Sequence, residues 1–285
     1  MSTIITKQIK AGSHNYKVMM EKYNSAMEVS DDCRRRPITS SSFQDKSKET
    51  FGEWEGVESY DEALSLLSNG YQPTVETLKE KLKGTKMGMG KRISFKNDMV
   101  GAVPVVPLAM MGVPNNMINM TMKPIKCKVI DIYYDVTCSS RTTSDQIIKN
   151  GQKLLGAVLE LEKQGYKFNI YAVQTYADRT SVDVLTVKVK SSSQPIDLKR
   201  ISFPLTHTAF FRVIGFDWYS KTPEGKYRSA YGHALSYDLS RSELDDFARQ
   251  AFGDNAVFIS GKNIMHEDEK YIMEVLTDAG QKKRK

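Results

Sequence analysis

Cysteine is scarce in this sequence. Its three copies, Cys33, Cys127 and Cys138, make no CxxC pair and no even set. That excludes a disulfide-stapled secreted domain and a thiolate zinc knuckle, and it fits a reducing compartment. Histidine is equally sparse: His14, His207, His233 and His266 are far apart and spell no HxxxH pair, so a histidine zinc motif is missing too. There is no Gly-x-Ser-x-Gly elbow of a hydrolase. The opening residues do not read as a leader. The most apolar stretch, "MVGAVPVVPLAMMGVP", carries three prolines and is too short to span a bilayer.

The excess of positive charge is mostly local. The net charge is +7, and Lys282, Lys283, Arg284 and Lys285 supply four of those charges, leaving +3 for the rest. A 40% hydrophobic and 26% charged composition supports a real core in a soluble protein. Two nucleic-acid contacts are readable: the basic tail, and the lysines at 79, 81, 83, 86 and 91. A solvated terminus explains the tail equally well.

Along the chain, residues 1–50 are polar and serine-rich in part, which predicts a weakly ordered arm. Residues 51–95 read as a helical segment. Ser59 with Glu62 is a capping box, Tyr60, Ala63, Leu64 and Leu67 share a face, and Gly70 ends the helix. A second helix covers "TVETLKEKLKG". The following "GTKMGMGKR" lacks the first glycine and the final hydroxyl of a phosphate loop and reads as a linker. Residues 96–125 hold six methionines and three prolines between Met99 and Met122. They read as an irregular connector over the core, or as an adaptable binding surface.

Residues 126–280 alternate strand and helix. "IKCKVIDIYYDV" is an apolar strand, "SDQIIKNGQKLLGAVLELEKQG" a helix with a Thr143–Gln146 capping box, and "YKFNIYAVQTY" the next strand, together a βαβ unit. "SVDVLTVKVK" follows a tight turn, so it pairs antiparallel, and its late lysines predict an edge strand. "LTHTAFFRVIGFDWYSK" and "SELDDFARQAF" read as helices, "NAVFIS" as a short strand, and "HEDEKYIMEVLTDAG" as a closing helix before the tail, residues 281–285.

This order resembles a von Willebrand A-like domain, an open and mainly parallel sheet of Rossmann-like type with an antiparallel edge strand. That family places Asp-x-Ser-x-Ser after its first strand and a threonine in a later loop, where they bind a divalent ion, usually magnesium. Asp135, Thr137 and Ser139 match the first motif, with Thr206 or Thr208 for the later threonine and Asp217 the nearest further acid. The resemblance therefore implies a magnesium site, whereas the residues read alone require no cofactor. The other reading of Asp135 and Ser139 is a strand-end cap that satisfies backbone N–H groups.

The blocks "EGVESYDEALSLLSNGY", "VGAVPVVPLAMMGVPNNMIN", "LLGAVLELEKQGYKFNIYA" and "LKRISFPLTHTAFFRVIGF" also resemble an uncharacterised family encoded by bacterial viruses. That implies a phage protein in the host cytoplasm or packaged in a virion, and implies no activity. Cys138 beside hydroxyl residues is a packed thiol rather than a nucleophile. Asp131 and Asp135, four residues apart on one strand, stand about 13 Å apart, too far for acid–base partnership. The expectation is a non-enzymatic protein-interaction module, with nucleic-acid association or a virion or cargo role as alternatives.

Overall fold

A computed structural model describes residues 2–39, 42–82, 91–124, 129–222 and 231–282. A mixed six-stranded sheet in the order β1-β2-β8-β7-β6-β9 forms its centre. The strands are β1 (Thr3–Ala11), β2 (His14–Tyr23), β6 (Val129–Asp135), β7 (Lys167–Ala177), β8 (Ser181–Lys190) and β9 (Ala256–Ser260). Three neighbouring pairs run parallel, β2–β8, β6–β7 and β6–β9, while β1–β2 and β7–β8 are antiparallel.

Helices cover both faces. On one face Ile130, Ile132 and Tyr134 of β6 join a core fed by α1 (Ala26–Arg35), α2 (Tyr60–Asn69), α3 (Gln72–Leu82), α5 (Ser144–Lys163), α6 (Leu198–Thr206), α7 (Phe216–Ser220) and α9 (Glu269–Lys282). On the other, Tyr133, Val173 and Val184 pack with Leu244, Phe247 and Ala251 of α8 (Arg241–Phe252). A two-sided cover explains why β6 reads as a nearly continuous apolar run. The Thr143–Gln146 capping box is complete. At Ser59 only half forms, because Glu62 accepts from the Glu58 N–H instead.

Two expectations about the sheet are corrected. The N-terminal residues are not an arm: β2 lies against β8, with Val18, Met19, Met20 and Glu21 buried. Glu21 accepts from Arg36 and from Trp218 Nε1, tying β2 to the end of α1 and to α7. Consequently β8 is an interior strand. Its Lys190 is not a charged edge residue but a buried one, 2.7 Å from Glu162.

The connector is corrected as well. Residues 91–124 form a separate three-stranded antiparallel sheet, β3 (Lys91–Asp98), β5 (Met117–Pro124) and β4 (Val103–Pro104), with α4 (Val106–Met110) at its tip. It is not laid over the core. No residue from 94 to 121 is buried, and Phe95, Met99, Val100, Met110 and Met111 are all exposed. Of the segment expected as a linker, 84–92, residues 84–90 lie outside the described residues, as does Cys127, while Lys91 and Arg92 open β3 instead. No helix among the described residues is long and apolar enough to cross a membrane.

Candidate functional site

The loop after Asp135 leaves the carboxyl end of β6, an interior strand, which is where open α/β sheets bind ligands. Its hydrogen bonds decide what Asp135 does. Oδ1 accepts from the Thr137 N–H at 3.0 Å and Oδ2 from the Thr175 hydroxyl at 2.8 Å. Thr137 Oγ1 accepts from the Thr175 N–H, and Thr175 Oγ1 from the Leu235 N–H. One buried carboxylate thus knits β6, β7 and the 231–237 loop together. Burial pushes its pKa up to about 6, and the donors from Thr137 and Thr175 oppose that rise without cancelling it.

The remaining residues of the magnesium motif are engaged elsewhere. Ser139 Oγ accepts from the Arg141 N–H. Thr206 donates to the Ser202 carbonyl and shares a contact with Thr74. Thr208 donates to the Glu55 carbonyl. Asp217 accepts from Tyr60 and pairs with Lys221. Asp135 and Thr137 are brought together, but no hydrogen bond among the described residues links Thr206 or Thr208 to them. Each Asp135 oxygen already accepts from a protein donor, and the hydroxyls of Thr206 and Thr208 donate to carbonyls elsewhere, so the described residues do not gather the motif's oxygens around one point as a magnesium site needs. The cap reading matches the geometry.

Of the nucleic-acid residues, Lys282 ends α9, with its side chain, and residues 283–285, outside the described residues. In the lysine strip, Lys79 is exposed and Lys81 pairs with Glu269, while 83 and 86 fall outside the described residues.

Directly above the Asp135 network the structure opens a cavity of about 510 Å³. Trp54, Tyr176, Phe211, Phe216, Tyr231 and Tyr237 wall it; Thr137, Cys138, Ser139, Ser140, Gly232, His233 and Ala234 complete the lining, and among the described residues no Asp, Glu, Lys or Arg takes part. The walls are fixed from several directions. Trp54 donates its indole N–H to the Ser140 carbonyl at 2.9 Å, and the buried Arg212 lies beneath its ring. Tyr231 stacks on Phe216 at 4.0 Å. Helical packing over β7 is close enough that a Cβ on Gly215, in the π-helical turn Phe210–Gly215, would collide with Gln174 Oε1.

The far wall depends on Gly232 in the left-handed region, φ 70°, where an added Cβ would sit 2.7 Å from the Ala177 carbonyl. That approach lets His233 exchange both backbone hydrogen bonds with Ala177 at the end of β7. At the mouth, His233 Nε2 lies 2.8 Å from the Asp238 carboxylate. Burial raises the Cys138 thiol to about 12, so it stays protonated at neutral pH.

Sequence reading located the loop but not the walls. Trp54 and Arg212 are 158 positions apart. The available signal was a lone arginine in the apolar run "TAFFRVIGF", since a buried guanidinium demands acceptors.

The fold and site define a mixed α/β domain with an aromatic cavity at the carboxyl ends of its interior strands. The chain belongs to the family described as a domain of unknown function, DUF7192, whose model matches residues 5–282. No curated protein and no solved structure matches it significantly.

Proposed function

We propose that this chain is a non-enzymatic protein-interaction module whose sheet-top cavity receives an apolar side chain of a partner protein. The carrying observation is the cavity itself, wide and aromatic, lined among the described residues by no Asp, Glu, Lys or Arg, with His233 at its rim and hydroxyls able to bond a peptide backbone. The protonated Cys138 thiol and the fully engaged Asp135 carboxylate support a binding role over covalent or acid–base chemistry. An A-like core belongs to this reading, supported by the spatial order β8-β7-β6-β9. So does a phage origin, with the protein in the host cytoplasm or a virion, supported by the four sequence blocks.

The test uses Trp54 as reporter, in a Trp218→Phe background so that its emission stands alone. Short peptides with a central Met, Leu or Phe are expected to shift that emission saturably, and serine-centred controls are not. Ser140→Trp, which fills the mouth, removes peptide binding as followed by calorimetry. No response to any apolar-centred peptide would remove the docking role.

A further inference from the structure

The arm formed by residues 91–124 poses a physical problem that the sheet-top cavity can solve. A three-stranded sheet needs a covered face to be stable. Here no residue between 94 and 121 is buried, and the exposed apolar groups culminate at α4 in Met110 and Met111, 84% and 76% exposed. Every hydrogen bond recorded for this segment among the described residues stays within it, as in Ala102 N–H to the Ile118 carbonyl and Val105 N–H to the Asn116 carbonyl. The arm does not cover itself against its own body. An exposed apolar surface of this kind marks a contact site.

Resting on the docking role assigned to the cavity, we propose that its occupant is the Met110–Met111 tip of a second copy of this chain. Two observations choose that occupant. First, residues 99–122 contain no charged side chain. Among the described residues no Asp, Glu, Lys or Arg lines the sheet-top cavity, whereas the pockets between α8 and α9 include Arg241 with Asp245 and the one at the end of α1 includes Arg36 with Asp217. An uncharged tip enters a cavity so lined without stranding an ion. Second, the walls are Trp, Tyr and Phe rings, and flexible thioethers make favourable contacts with ring edges in irregular spaces.

Each contact uses one tip and one cavity: the tip of one copy enters the cavity of another. Such a contact closes reciprocally as a pair, closes as a larger ring, or runs on as an open chain of copies.

Sedimentation of the full chain over a concentration series tests this. Wild type is expected to self-associate as the concentration rises. Met110→Asp with Met111→Asp is expected to be monomeric, and so is Ser140→Trp, which blocks the mouth without removing a wall. Circular dichroism confirms that each variant is folded. Mixed together, the tip variant still offers an open cavity and the mouth variant an intact tip, so they form a one-to-one dimer and nothing larger.

Three results overturn the proposal. One is a wild type that stays monomeric throughout, even if apolar peptides still shift Trp54 emission, in which case the cavity remains a receptor for another partner. Another is association lost in the tip variant but intact in Ser140→Trp, the mark of arm pairing with arm. The third is a mixture that fails to form the dimer.

Discussion

The guanidinium of Arg212 lies 4.2 Å from the ring centre of Trp54 and donates to the carbonyl oxygen of the same residue. Its other terminal nitrogen donates to the Thr142 carbonyl at 2.7 Å, in the loop between β6 and α5. One buried cation therefore holds an aromatic wall and the loop facing it in fixed relation. Arg212→Met leaves two carbonyls without donors and is expected to cost about 2–4 kcal/mol in urea unfolding. Arg212→Lys is not expected to restore the loss, because an ammonium cannot reach both acceptors and stack on the indole together.

Asp135 gives the fold a signed pH dependence. Its folded pKa, about 6, lies above the ordinary carboxylate value because the group is buried. The folded state therefore holds a proton that the unfolded chain releases between about pH 4 and 6. The contribution of this group is fully present below about pH 4 and lost as pH rises through 6. It amounts to about 3 kcal/mol for a shift of this size. Asp135→Asn should flatten the stability profile between pH 4 and 6 relative to wild type in urea titrations at each pH.

Excess magnesium is expected to leave the Tm of the wild-type protein unchanged, since the Asp135 oxygens already accept from Thr137 and Thr175. Differential scanning fluorimetry with and without chelator checks this. A rise that disappears in Asp135→Ala would reinstate a metal at the loop.

Glu21 is fully buried and faces Arg36 and Trp218. Burial raises its pKa, but the hydrogen bonds from Arg36, Ser2 and Trp218 outweigh that and bring it below the ordinary value. Its contribution is therefore present above the unfolded carboxylate pKa and lost as acid protonates it in the folded state. Glu21→Ala should destabilise by about 1–3 kcal/mol in urea unfolding, because it leaves the buried Trp218 indole N–H without an acceptor and Arg36 with Asp32 as its remaining carboxylate. Deleting residues 1–23 should abolish cooperative unfolding altogether.

Thiol reactivity offers a check on the cavity floor. Burial lifts the thiols of both Cys33 and Cys138, the latter to about 12. In a Cys127→Ser background the native protein should show almost no reaction with a disulfide reagent at pH 8, and two equivalents once unfolded.

The α/β centre was legible because its signals are local. β6 is an apolar run, and α5 announces itself through Thr143, Gln146 and a helical stripe. The N-terminal hairpin was not legible, since Lys7, Lys10, Lys17, Glu21 and Lys22 dilute its strands. β2 becomes a strand through its pairing with β8, residue by residue from Lys17 with Ser181 to Tyr23 with Val187. Likewise the sequence marks Asp135, Thr137 and Ser139 as a strand-end loop. It cannot reveal that Trp54 and Tyr231, from distant segments, close a cavity over them.

The parallel pairing of β2 with β8 has a consequence for biosynthesis. During translation the first hairpin emerges while its neighbour strand is still unmade, and Val18 and Met20 wait uncovered until β8 and then α8, which packs on their face, leave the ribosome. Completion of the sheet thus joins Thr3 to Ser260 across most of the domain, and the waiting hairpin is the segment most in need of a chaperone.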